Sequence, residues 1–145
     1  MINARRTTLL STVCIAAALI TGLTPGSAGA QFAPDTITIT PQGRIAQDGT
    51  LTLSGTYRCS SLRSGPVLIG SNAVQGSARA EIDGALATCD DRTHTWRETT
   101  DPSGAFTPGS ARGEAVLIEL DSSNGFVPLP VILNTARSEI TLSRG

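Results

Sequence analysis

From Thr36 onward, apolar residues alternate with polar ones, and turn-forming residues interrupt the pattern about every eight to twelve positions. No stretch carries the three-to-four-residue spacing of an amphipathic helix, so the pattern predicts an all-β, antiparallel β-sandwich of short strands. Thr36–Thr40 puts Ile37 and Ile39 on one face. Thr50–Cys59 is the clearest strand: Leu51, Leu53, Gly55, Tyr57 and Cys59 share one parity, which points Cys59 inward. Val67–Val74 reads as the next strand, and Thr93–Thr99 as another with His94, Trp96 and Glu98 on one face. A Gly/Pro/Ser loop over 101–112 carries Phe106. In Gly113–Leu120, the dense run Ala115-Val116-Leu117-Ile118 predicts a central strand buried on both faces. Val127–Leu133 contains Pro128 and Pro130, which donate no ladder hydrogen bonds, so it reads as an edge. Glu139–Leu142 closes the domain.

Asp83-Gly84 suits a type I′ turn between Ala78–Ile82 and Ala85–Cys89. That register pairs Ile82 with Ala85, Ala80 with Ala87 and Ala78 with Cys89, placing all six on one apolar face. Leu86 falls on the other face. Cys89 is thereby turned inward for a reason independent of Cys59, and the two predict an intradomain disulfide. Closing a loop of about 30 residues is worth roughly 3.5 kcal/mol on chain-entropy grounds.

The first thirty residues follow a different logic. Arg5 and Arg6, the apolar run Leu9–Leu23 and the small-residue site Ala28-Gly29-Ala30 have the order of an export signal, with cleavage between Ala30 and Gln31. Cleavage leaves a single domain, Gln31–Gly145, in an oxidising compartment with only Cys59 and Cys89, Cys14 being removed. The apolar run is shorter than the about 20 residues of a membrane span, so a secreted protein without an anchor is expected. Val13 before Cys14 argues against a lipoprotein signal. Arg5-Arg6 also hints at twin-arginine export, but Thr8 stands where that signal usually carries a bulky apolar residue.

All eleven basic residues are arginine; nine remain after cleavage against twelve acidic residues, a net charge of −3. They are scattered, which argues against a nucleic-acid partner. His94 is the only histidine, and no Gly-x-Ser-x-Gly elbow is present to make it part of a serine hydrolase. Asp90, Asp91 and His94 are too few for a calcium or zinc site, and adjacent aspartates on an extended chain point apart. Glu98, Glu114 and Glu119 are candidate glycosidase carboxylates by residue type alone. No phosphate loop, dinucleotide fingerprint or spare thiol is present, so neither a cofactor nor a metal is expected.

The ordered series Gly55-Thr56-Tyr57-Arg58-Cys59, Val74-Gln75-Gly76, Cys89-Asp90 with His94-x-Trp96, and Phe106-x-Pro108-Gly109-x-Ala111 resembles a family of small exported proteins of filamentous Gram-positive bacteria, a domain of unknown function. The resemblance runs from about Thr36 to Leu142. It implies an immunoglobulin-like, disulfide-linked secreted domain with no assigned activity. Members tend to carry Gly where this chain has Asp91, so a different turn is expected there. Trp96 follows Cys89 instead of lying between distant cysteines, a departure from antibody domains.

Three functions compete. The first is a non-catalytic secreted domain binding a protein or cell-envelope partner, through Leu86 and the edge bearing Pro128 and Pro130. The second is a carrier of a small apolar ligand, in a cleft lined by Trp96, Phe106 and Phe126. The third is a hydrolase built on His94, Glu98 or Asp90.

Overall fold

Alternation along the chain becomes burial in the structure. In Leu51–Arg58 every odd-numbered residue is buried and every even one half-exposed, and Cys59 continues the buried series. The computed structural model describes residues 32–145, so the expected cleavage pair Ala30 and Gln31, and Cys14, lie outside the described residues. These residues contain eight strands and no helix: β1 (Thr36–Ile37), β2 (Gln42–Ile45), β3 (Leu51–Arg58), β4 (Val67–Gln75), β5 (Ala78–Leu86), β6 (Thr93–Thr99), β7 (Gly109–Asp121) and β8 (Leu129–Arg144).

The strands form one mixed sheet of order β1-β3-β2-β8-β7-β4-β5, with β6 on the remaining edge of β3. One pairing departs from the antiparallel expectation. β2 lies parallel to β8, Gln42–Ile45 running beside Thr141–Arg144. The first extended segment uses both of its edges: Arg44 and Ile45 stay paired with Thr52 and Leu51 of β3 while Gln42–Ile45 also pairs with β8. Thr38 and Thr40 still donate to the carbonyls of Thr56 and Ser54 on the β3 side, whereas Pro41 accepts from Thr141 of β8. Gly43 permits the crossing, because a Cβ there would lie 2.6 Å from a Leu142 methyl. β2 therefore joins the β3–β6 pair to the β8-β7-β4-β5 ladder. Inward side chains of both parts, including Leu53, Tyr57 and Trp96 from one and Ile69, Leu117 and Ile140 from the other, make a single core. Each large apolar side chain so buried contributes about 1.5–3 kcal/mol.

β7 is central, between β8 and β4, but only one of its faces is buried. Ala115 and Leu117 are fully covered, while Val116 and Ile118 are half-buried on an outer face that carries no further layer. The two closing strands expected at 127–133 and 139–142 are one, β8, continuous because Leu133 is accommodated as a bulge between Ile132, opposite Ile118, and Asn134, opposite Leu117.

Asp83-Gly84 is not a turn. β5 runs straight through it, and the β4–β5 hairpin turns instead at Gly76-Ser77, where Gly76 has φ 59° and Gln75 pairs with Ala78. Asp83 and Gly84 together face Gly70 as a β-bulge, since Ile82 pairs with Ser71 and Ala85 with Ile69. Gly84 is needed there because a Cβ would approach the Ile69 carbonyl oxygen to 2.9 Å. A bulge shifts parity just as the expected turn does, so Ala78, Ala80 and Ile82 before it and Ala87 and Cys89 after it all pack against the core. The inward direction of Cys89 was thus deduced correctly from the wrong element. The disulfide Cys59–Cys89 is formed, with the two Cα atoms 4.7 Å apart.

Deleting Asp83 discriminates the two arrangements. It leaves one residue opposite Gly70 and keeps Ala85, Ala87 and Cys89 on their present faces, so the variant is expected to fold with its disulfide intact. Free thiols in a maleimide assay on the folded fraction, or failure to fold, would contradict the bulge assignment.

Candidate functional site

The polar residues singled out as chemistry are each committed to structure. His94 on β6 stacks on Tyr57 with ring centroids 5.5 Å apart, and its Nε2 lies 2.7 Å from Asp90 Oδ1. That hydrogen bond, helped by the Arg92 N–H, holds the Asp90 carboxyl below the usual carboxylate range. Asp91 points elsewhere: its side chain accepts from the Ser61 N–H and hydroxyl and pairs with Arg58, whose Nε donates to the Asp91 carbonyl. The two aspartates and His94 therefore do not converge as metal ligands. Asp91 has φ 64°, the left-handed conformation that glycine favours. The turn expected to differ from its relatives keeps a glycine-like backbone, and the Asp91 side-chain bonds offset the strain.

The three glutamates point three ways. Glu98 on β6 reaches across to β4 and β5, where the Ser71 hydroxyl donates to it at 2.5 Å and the Ala85 N–H at 3.3 Å. Burial raises its pKa, opposed by these two donors. Glu119 near the end of β7 fastens the 60–66 loop, accepting from the N–H groups of Ser64 (2.9 Å) and Gly65 (3.0 Å) and from Arg63 (3.1 Å). Burial alone would raise its pKa, but the Gly65 N–H, the Arg63 guanidinium and the Ser64 donors together bring it below the usual range. Arg63 also pairs with Asp35, and its buried Nε has no hydrogen-bond partner. Glu114 lies on the outer face and pairs with Arg137 at 3.0 Å. Glu114 thus stands on the face opposite Glu98 and Glu119, and those two are bonded to different segments, Glu98 to Ser71 and Ala85 and Glu119 to the 60–66 loop.

The candidate apolar surface divides. Trp96 and Phe106 are 4% and 2% exposed, so both are core side chains instead of surface contacts. The Trp96 indole donates to the Thr38 carbonyl at 2.9 Å. Phe106 plugs the core from the loop before β7, whereas Phe126 lies beyond the other end of that 13-residue strand, on the order of 40 Å away. The expected cleft lined by Trp96, Phe106 and Phe126 does not form. Leu86 and Phe126 are exposed, 72% and 106%. Register joins Leu86 to an outer-face row across the sheet, pairing it with Leu68, Leu68 with Ile118, and Ile118 with Ile132. Sequence reading misses this row and the exposed Leu62, and it marks the Val127–Leu133 edge by Pro128 and Pro130 without the exposed Val127 and Leu129. The signal was present in the nearly unbroken apolar run from Phe126 to Leu133 on a strand already recognised as an edge.

The shifts of Glu98 and Glu119 have opposite consequences. A raised folded pKa makes the Glu98 contribution complete below its unfolded value, about 4.3, and lost as pH rises through the folded value. A lowered one makes the Glu119 contribution complete above that value and lost as pH falls through the folded pKa. Denaturant unfolding across pH is expected to show Glu98→Gln removing the decline on the alkaline side of pH 4.3 and Glu119→Gln removing the decline on the acid side. A Glu98→Gln variant that keeps the wild-type slope above pH 4.3 contradicts the assignment.

Comparison with known proteins adds a family and no activity. A search of curated proteins found no match. Among solved structures, the Pseudomonas fluorescens alkylpurine DNA glycosylase AlkC, bound to DNA containing an abasic site analog, is similar at 13% identity and a TM-score of 0.36. The aligned region covers 74% of this chain and 29% of that one, so this chain spans less than a third of the enzyme's length. A likeness of that degree carries no functional meaning. The model of a family of unknown function, DUF6299, matches residues 33–145, and the chain belongs to that family.

Proposed function

We propose that the chain is a secreted, non-catalytic binding domain of immunoglobulin-like sandwich architecture, which engages a protein or cell-envelope partner. Support for secretion comes from the export-type start ending at Ala30 and from a disulfide that needs an oxidising compartment. Support for the sandwich comes from β2, which pairs with β3 along one edge and with β8 along the other, while the inward faces of both parts share one core. Binding instead of catalysis is favoured by the use made of each polar candidate: His94, Asp90, Asp91, Glu98 and Glu119 all bond to the protein itself.

One observation carries the reading. Leu86 stands exposed at the end of a cross-strand apolar row, Phe126 stands exposed on the loop between β7 and β8, and exposed apolar patches mark interaction sites. No cofactor enters this function. A photo-crosslinking residue placed at Leu86 or Phe126 of the exported protein, in its native culture, is expected to capture a partner. The same residue at Ser103 in the loop before β7 is expected to capture none. Equal capture at all three positions, or none at Leu86 and Phe126, would refute the binding surface.

A further inference from the structure

Arginines on the outer surface of the domain keep two kinds of company. On β5, β7 and β8 they stand beside acids: Arg137 pairs with Glu114, Arg79 pairs with Glu81, and Arg112 lies opposite Glu139 in the ladder. The outward positions of β2, β3 and β6 carry threonine, serine, glutamine and arginine, and no acidic residue. There the arginines have hydroxyl neighbours. Arg44 stands opposite Thr52 of β3 and Ser143 of β8, and Arg97 stands opposite Ser54. Among the described residues, neither Arg44 nor Arg97 has a carboxylate partner. The acids nearest them in sequence have other uses, Asp48 accepting from the Thr50 N–H and Glu98 from the Ser71 hydroxyl. Thr52 and Ser54 share one face of β3 about 7 Å apart, with Arg44 and Arg97 on the two strands that flank it. These four, with Gln42 and Ser143, line one open concavity of 290 Å³. A second, of 320 Å³, lies over Thr56 and Thr95 and shares Ser54 and Arg97 with the first.

We propose that this face binds a phosphate end group carried on a glycan chain, the phosphate between Arg44 and Arg97 and the adjoining sugar over Thr56 and Thr95. The charge selects an anion. Guanidinium groups only donate, and the hydroxyls beside them donate as readily as they accept, so the concavity is complementary to an oxyanion and repels a cation. Two arginines then select among oxyanions. A carboxylate has two oxygens and is satisfied by one bidentate arginine. A phosphate monoester presents three oxygens and roughly two negative charges, which two guanidinium groups from opposite sides match. The hydroxyl row leading away from Arg97 suits a polyhydroxylated carrier, since Thr56 and Thr95 offer it hydrogen bonds and no apolar wall. Openness decides between a free sugar phosphate and a tethered one. A site for a free small molecule encloses most of its ligand, whereas these concavities lie open on a sheet face, where a group held on a long chain needs no enclosure. The site uses neither Leu86 nor Phe126, so it stands or falls apart from the surface proposed above.

Phosphomannan, a mannan bearing exposed phosphate monoesters, is the probe, immobilised on beads and titrated with the full chain. Retention is expected at low salt, weakening as salt rises, and it is expected to vanish when the polymer is first treated with phosphatase. Arg44→Gln and Arg97→Gln, both at exposed positions, are each expected to keep the wild-type melting temperature and to weaken retention roughly tenfold. Arg112→Gln, opposite Glu139 on β8, is expected to bind as the wild type does. A wild-type chain that is not retained overturns the proposal, as does retention that survives phosphatase treatment. Loss of binding in Arg112→Gln equal to that in Arg97→Gln overturns the site in favour of unspecific charge attraction. Displacement by free mannose 6-phosphate at an equal concentration of phosphate groups overturns the tethered ligand in favour of a soluble sugar phosphate.

Discussion

The Cys59–Cys89 crosslink is the constraint on which the rest of the arrangement turns. It ties the residue after β3 to the segment after β5, two strands that share no ladder. β6 is hydrogen-bonded only to β3, and β5 only to β4, so between these two edges no backbone ladder closes the core. What spans that side is the disulfide, the hydrogen bond from the Thr88 N–H to the Tyr57 hydroxyl, and Glu98 reaching to Ser71 and Ala85. Asp91, Arg58, Asp35, Arg63 and Glu119 extend the same fastening through the neighbouring loops.

Much of this was legible in the sequence wherever one face of a strand is buried. Leu51 to Cys59 and Thr93 to Thr99 declare their inward faces because a period-two pattern has only one consistent burial. The two cysteines followed from that parity. Asp83-Gly84 was misread because the same dipeptide that makes a tight turn also makes a bulge. Local chemistry does not distinguish them; the pairing of Ile82 with Ser71, eleven residues away, does. The parallel β2–β8 pair was illegible for a similar reason, joining segments about a hundred residues apart that carry no mutual signature.

The candidate site was read less well than the fold. Trp96 and Phe106 line no cleft because in a domain with few aromatic residues both fill the core, where each buries the most area. Leu86 was placed outward correctly, since the bulge preserves the parity that the turn would have given. The row it forms with Leu68, Ile118 and Ile132 emerges only when three registers are known together. Membership of a family of unknown function adds no chemistry to this picture. The functional reading therefore rests on which groups are committed internally and which are left outside.

If the crosslink is the central constraint, its removal must weaken one side of the domain selectively. Equilibrium unfolding of Cys59→Ala/Cys89→Ala, followed by amide hydrogen exchange, measures this directly. The expected result is a loss of roughly 3.5 kcal/mol, with exchange accelerating in β5 and β6 before β7 and β8. Undiminished stability with unchanged protection in β5 and β6 would contradict the account.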